Sequence, residues 1–101
     1  MIVSKVEELL SSQGRVKIVK IMLESNELNI SEIIRRSGVS HSAVEPHLEF
    51  LVALGLLTEK RFNRIRIFEV NHSNPYTKVL ARFLSEWNAL SSSHVVERAF
   101  N

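Results

Sequence analysis

The chain has 101 residues, 45% of them hydrophobic, and a formal net charge of +2 at pH 7. That length holds one domain, 1–101, with a modest core, and the apolar fraction argues against wholesale disorder. Cysteine is absent, which excludes disulfides and thiolate metal sites. No apolar run approaches the roughly 18 residues of a membrane span, and no signal-peptide pattern opens the chain, so the expectation is a cytoplasmic protein with no membrane contact. Aspartate is also absent and eight of the thirteen basic residues are arginine. So mild a basic excess permits nucleic-acid binding, and the placement of the charges decides.

Residues Ile2 to Ser11 carry Ile2, Val6, Leu9 and Leu10 in a helical rhythm, with Glu7 and Glu8 outside. A helix this short needs something to lie against. Ser11-Ser12-Gln13-Gly14 then offers a hydroxyl to cap the next helix. From Arg15 to Glu24 the polar residues Gln13, Lys17, Lys20 and Glu24 form one narrow stripe. Val16, Ile18, Val19, Ile21, Met22 and Leu23 fill the remaining circumference. A helix covering one face of a small domain needs an apolar arc of only about 100°, so this one is expected to be buried on two sides. Either the terminal helices of its own chain wrap it or it forms a subunit interface, and both can hold.

A polar loop, with a brief strand around Leu28 to Ile30, leads to the most informative stretch, Ile30 to Leu57. Ser31 is the expected cap of a short helix bearing Ile33 and Ile34 on one side and Arg35 and Arg36 on the other. Gly38-Val39-Ser40 breaks the pattern: Gly38 suits the left-handed conformation that ends a helix, and Val39 can drop into the core. Apolar spacing resumes at Val44, Leu48 and Leu51, with Ala43, His47, Phe50 and Leu54 widening that face. Ser42, Glu45, Pro46, Glu49 and Ala53 lie opposite, where a DNA-reading helix keeps its contacts. Pro46 disturbs this helix. If Ser40 is the cap, Pro46 removes an interior hydrogen bond and kinks the helix. If the helix starts later, Ser42-Ala43-Val44-Glu45 forms a capping box and Glu45 serves the cap instead of a cytosine amine.

Gly55 stops the second helix. Thr58 to Arg61 and Arg64 to Val70 are the expected strands of a hairpin joined at Phe62-Asn63, with Asn63 tolerating positive φ. Arg64 and Arg66 alternate with Ile65 and Ile67, and the phase slips at Phe68. Lys60 to Arg66 holds four basic residues in seven and no acid. Such a run is usually a solvated strand edge, but directly after two helices joined by a tight turn it has the layout of a wing that reaches phosphates. Asn74-Pro75 opens the last long helix, whose stripe of Tyr76, Val79, Leu80, Phe83, Leu84, Trp87 and Leu90 reads as core or interface. The expected architecture is mainly α with a small β-hairpin: a helix-turn-helix at 30–57, a wing at 58–70, and core or dimerisation helices at 1–24 and 74–100.

From about Gly14 to Asn71 the chain resembles the ArsR-like winged-helix prokaryotic and archaeal transcription regulators. The resemblance rests on GRVKIVKIML, on SEIIRRSGVSHSAV, on the HLxxLxxxGLL pattern of His47, Leu48, Leu51, Gly55, Leu56 and Leu57, and on the basic wing. It implies a homodimer on double-stranded DNA. The expected DNA contacts are Arg35, Arg36, Ser40, His41, Ser42, Glu45, Pro46, Lys60, Arg61, Asn63, Arg64 and Arg66. The expected dimer contacts are Val6, Leu9, Ile18, Ile21, Met22, Tyr76, Leu80, Phe83, Leu84 and Trp87. Cysteine-based metal sensing is excluded. His94 and Glu97 match only half of the last-helix metal pattern of some members, so no metal or other cofactor is expected. No catalytic constellation stands out and no small-molecule substrate is evident. The alternative reading is a winged-helix module that holds a protein partner, because the outer face of the second helix has no Lys or Arg.

Overall fold

The computed structural model describes residues 6–92, in the order α1 (Val6–Leu9), α2 (Gln13–Ser25), β1 (Glu27–Asn29), α3 (Ile30–Ser37), α4 (His41–Ala53), β2 (Leu57–Phe62), β3 (Ile65–Val70) and α5 (Pro75–Ser91). The expectations for Ile2, His94, Glu97 and the segment up to Phe100 lie outside the described residues. The helix starts follow from local chemistry. Ser12 accepts from Arg15 N at 2.9 Å, Ser40 accepts from Ala43 N at 3.2 Å, and Asn74 accepts from Tyr76 N at 2.8 Å just before Pro75. The cap of α3 is Asn29, which accepts from Glu32 N at 2.9 Å, and not Ser31. The chain passes straight from β1 into α3, so the last strand residue is already at the cap position. Gly38 ends α3 at φ 73° with its N–H on Ile34 O, and Val39 packs against the core as expected of the plug. The start of α2 comes close to that corner. A Cβ on Gly14 would stand 3.3 Å from Val39 Cγ2 and 3.4 Å from His47 Nε2, so glycine is what allows this approach.

The sheet has three antiparallel strands in the order β1-β3-β2, so the hairpin gains a third strand from the loop before α3. β2 and β3 pair in register from Leu57↔Val70 to Phe62↔Ile65, and the connection is Asn63-Arg64, one residue later than expected, with Asn63 at φ 59°. The alternation does not slip at Phe68. Arg66, Phe68 and Val70 share the inner face, and the buried Phe68 and Val70 show that the arginine, not its isoleucine neighbours, is on the core side.

Ile18, Met22, Leu28, Ile33, Val44, Leu48, Leu51, Leu56, Leu57, Phe68 and Val70 form one cluster among α2, α3, α4 and the sheet. α5 lies against it through Leu80 and Leu84. Three expected dimer residues belong to this chain's own core: Ile18, Met22 and Leu9 are 0%, 1% and 7% exposed and have no surface to offer a second copy. Ile21 is half-buried. Val6, Tyr76, Phe83 and Trp87 remain at the surface, joined by Val79 and Leu90. The expected two-sided burial of α2 is therefore met within the chain.

Candidate nucleic-acid interface

The helix α4 begins at His41 and continues as one element through Pro46, which overturns the late start and its capping box. Ser42 and Pro46 are both exposed, so the carbonyl that Pro46 leaves without a partner belongs to the water side of the helix. Ser40 closes the first turn, its Oγ also 3.5 Å from Ser42 Oγ, and this leaves His41, Ser42 and Pro46 as an exposed helix tip. Glu45 has a different role from a cap. Its Oε2 accepts from Arg66 Nη1 at 2.6 Å, which ties α4 to the wing.

Arg66 is the hub of that junction. Its Nε donates to Glu59 Oε2 at 2.7 Å and its Nη2 to Glu59 Oε1 at 3.3 Å, while its guanidinium carbon lies 5.3 Å from the centre of the Phe68 ring. The Arg66 side chain is 21% exposed and those of Glu45 and Glu59 are about as enclosed, at 33% and 26%. Such two-pronged, partly shielded pairs are stronger than surface ion pairs. The hydrogen bonds from Arg66 hold the Glu59 carboxyl below its ordinary range. Those to Glu59 and then Glu45 push the Arg66 pKa up. Arg61 is the cross-strand partner of Arg66, and two like charges there would repel. Glu59 lies between them, 3.7 Å from Arg61 Nε.

The other expected contacts are more scattered. Lys60 is on the outer face of the sheet, 3.4 Å from Glu27 and 3.2 Å from Glu69, whose hydrogen bonds raise its pKa, Glu69 first. Arg35 and Arg36 share Glu32, at 2.6 Å and 3.1 Å, and their hydrogen bonds lower the Glu32 pKa to about 2. Arg36 also donates to Ser25 Oγ at 3.0 Å. Asn63 and Arg64 form the exposed wing tip, and Arg64 has no acid partner among the described residues. The structure thus brings together Glu45, Arg61 and Arg66, and leaves the first turn of α4 and the wing tip open.

Two features of the wing were not read from the sequence. Glu59 pairs with Arg66 and approaches Arg61, and Phe62 and Ile65 project from the tip as an exposed cross-strand pair, Phe62 at 70%. A two-residue turn at Asn63-Arg64 would have indicated both, since it sets Glu59 opposite Phe68 and Arg61 opposite Arg66. Among the described residues no group of three or more His, Cys, Asp or Glu side chains is placed to hold a metal, and no helix is long and apolar enough to cross a membrane.

Comparison with known proteins agrees with this geometry. The chain is similar in structure to HlyU from Vibrio cholerae N16961, with a TM-score of 0.69 at 22% identity over 81% of this chain and 86% of that one. It is also similar to AbfR of Staphylococcus epidermidis, with a TM-score of 0.61 at 14% identity over 90% and 80%. For Sso10a-2, a DNA-binding protein from Sulfolobus solfataricus, the TM-score is 0.57 at 16% identity over 89% and 97%. These likenesses show a shared winged-helix fold. No curated protein sequence matches the chain. The family described as "Bacterial regulatory protein, arsR family" matches residues 12–59, the segment from the cap of α2 through α4 into the wing. The sheet and α5 complete a winged-helix fold around that segment, which is similar to the arsR family of bacterial regulatory proteins, whose members are DNA-binding transcription regulators.

Proposed function

We propose that this chain is a sequence-specific regulator that binds double-stranded DNA as a homodimer. The tip of α4, with Ser40, His41, Ser42 and Pro46, enters the major groove, and Arg61, Asn63 and Arg64 of the wing meet the backbone or the minor groove. The observation that carries the reading is the exposed first turn of α4, its cap formed, beside a wing tip whose Arg64 lacks an acid partner among the described residues. The dimer is supported by Tyr76, Val79, Phe83, Trp87 and Leu90, an exposed apolar stripe along α5 in which the Phe83 and Trp87 rings lie 6.0 Å apart. A two-fold pair of such chains would present its α4 helices to successive major grooves, about 34 Å apart.

One observation favours a second reading, a protein-binding module: the outer face of α4 offers Glu45, Pro46 and Glu49 and no cation. A mobility-shift titration on genomic fragments at several salt concentrations separates the two. Specific DNA binding retards a subset of fragments at moderate salt, with affinity falling as salt rises. No retardation of any fragment at low salt refutes the DNA reading.

A further inference from the structure

The bond between Arg66 and Glu45 has a chemical consequence for the groove in front of α4. Arg66 has donors only, so it can hold only an acceptor of Glu45. It holds Oε2, at 2.6 Å, and among the described residues nothing donates to Oε1. Glu45 stands one turn after the exposed tip of α4, with a third of its side chain still open to solvent. Its free oxygen is an acceptor whose direction is set by a guanidinium that Glu59 and Phe68 fix in turn.

We infer that Glu45 is a base-reading residue selecting cytosine, and that Arg66 is the positioning residue that aims it; the inference rests on the DNA reading above. In the major groove cytosine presents an amine donor, whereas guanine and thymine present acceptors that a carboxylate repels, and adenine sets an acceptor N7 beside its amine. A lone oxygen acceptor therefore favours cytosine. Charge supports the same assignment. An uncompensated carboxylate is repelled by the phosphates of the duplex, but Glu45, Glu59, Arg61 and Arg66 together sum to zero. Arg66 thus allows an acid to stand in the groove, and the wing and α4 read DNA as one unit.

Selection of binding sites from a randomised duplex library tests this, with the full chain and three variants. The wild type is expected to enrich a motif with cytosine at one position of each half-site, preferred roughly tenfold or more. Glu45→Gln has the same shape. Arg66 accepts nothing, so it keeps the amide oxygen and turns the NH2 group outward, and the preference at that position should move to a base with an acceptor edge. Glu45→Ala should lose preference there and nowhere else. Arg66→Lys keeps the charge but not the fork, and should weaken the preference at that position with the salt slope unchanged. An Arg66→Lys protein that binds every sequence more weakly, with the cytosine preference intact, would instead mark Arg66 as a phosphate contact and overturn its positioning role. A Glu45→Gln motif identical to the wild type at every position overturns the assignment of Glu45 while leaving DNA binding intact. Failure of the wild type to enrich any motif removes the DNA reading itself.

Discussion

Arg15 donates from Nε to Nδ1 of His47 at 3.2 Å, and this bond joins the start of α2 to the middle of α4. The Arg15 guanidinium carbon lies 3.9 Å from the centre of the Phe50 ring, and its Nη1 donates to the Glu8 carbonyl at 2.6 Å, so one side chain links α1, α2 and α4. The imidazole that accepts at Nδ1 is neutral, with its proton on Nε2 facing Ser12 Oγ at 3.5 Å.

Burial, and then the Arg15 charge, lower the His47 pKa from its ordinary 6.5. Between the two values the unfolded chain binds the additional proton, so stability rises with pH across that window. The contribution is complete above 6.5 and is lost as pH falls through the folded pKa. His47→Gln is expected to flatten this dependence. Melting temperatures of the two proteins from about pH 8 to pH 5 check it. Equal acid sensitivity in both refutes the assignment.

The wing arginines are not equivalent. Arg64 lacks an acid partner among the described residues and Arg61 has only the 3.7 Å approach of Glu59, whereas Arg66 is held on three sides. Arg64→Ala is expected to weaken binding to all duplexes alike and to flatten the log–log salt slope by about 0.9 per site. Arg61→Ala should act in the same direction. An unchanged slope in the double variant would show that the wing makes no phosphate contacts.

Trp87 is the single tryptophan of the chain and is 52% exposed on the α5 stripe. If that stripe joins two copies, Trp87→Glu places two like charges in one apolar seam. It should raise the dimer dissociation constant by at least roughly a hundredfold with little effect on the fold. Sedimentation gives the assembly state, and Trp87 emission in the wild type should shift to the blue as concentration promotes association. A wild type that sediments as a monomer at micromolar concentration removes the dimer.

Pro46 interrupts the hydrogen bonding of α4 at an exposed position. Pro46→Ala restores a donor for the Ser42 carbonyl. The helix gain, less the freedom returned to the unfolded chain, should stabilise the protein by about 2 kcal/mol. Denaturant unfolding measures it. If His41, Ser42 and Pro46 form the groove contact, the same variant should alter DNA affinity.

Thr77 is 1% exposed, and its Oγ1 has no hydrogen-bond partner among the described residues. It faces an apolar pocket shared with Val19, Met22, Leu51 and Leu80. An unpaired buried hydroxyl is costly, and valine has nearly the same shape, so Thr77→Val should raise stability by about 1 kcal/mol. A loss of stability would reveal a partner for the hydroxyl.

Chemistry acting over three or four residues is legible in the sequence. Ser12, Ser40 and Asn74 cap helices because a short side-chain oxygen reaches an amide two or three positions on. Gly38 turns the chain because a residue without a Cβ takes the left-handed conformation at no steric cost, and the apolar spacing of α4 marks its buried side. Periodicity identifies a face but not what covers it. Ile18 and Met22 looked as suited to a second copy as Phe83 and Trp87, and only the packing of α3, α4 and the sheet onto α2 put the first pair inside and left the second outside. The ion pairs of the wing are hidden from the sequence for a similar reason. A run of basic residues looks free until their counter-ions are located, and Arg66 finds one of them on α4, 21 residues away in sequence. A guanidinium–carboxylate bond depends on through-space distance and on the register of β2 against β3. The chain order therefore prescribes the helices, the turn and the hairpin, while the tertiary fold alone decides that the arginine nearest α4 grips a carboxylate.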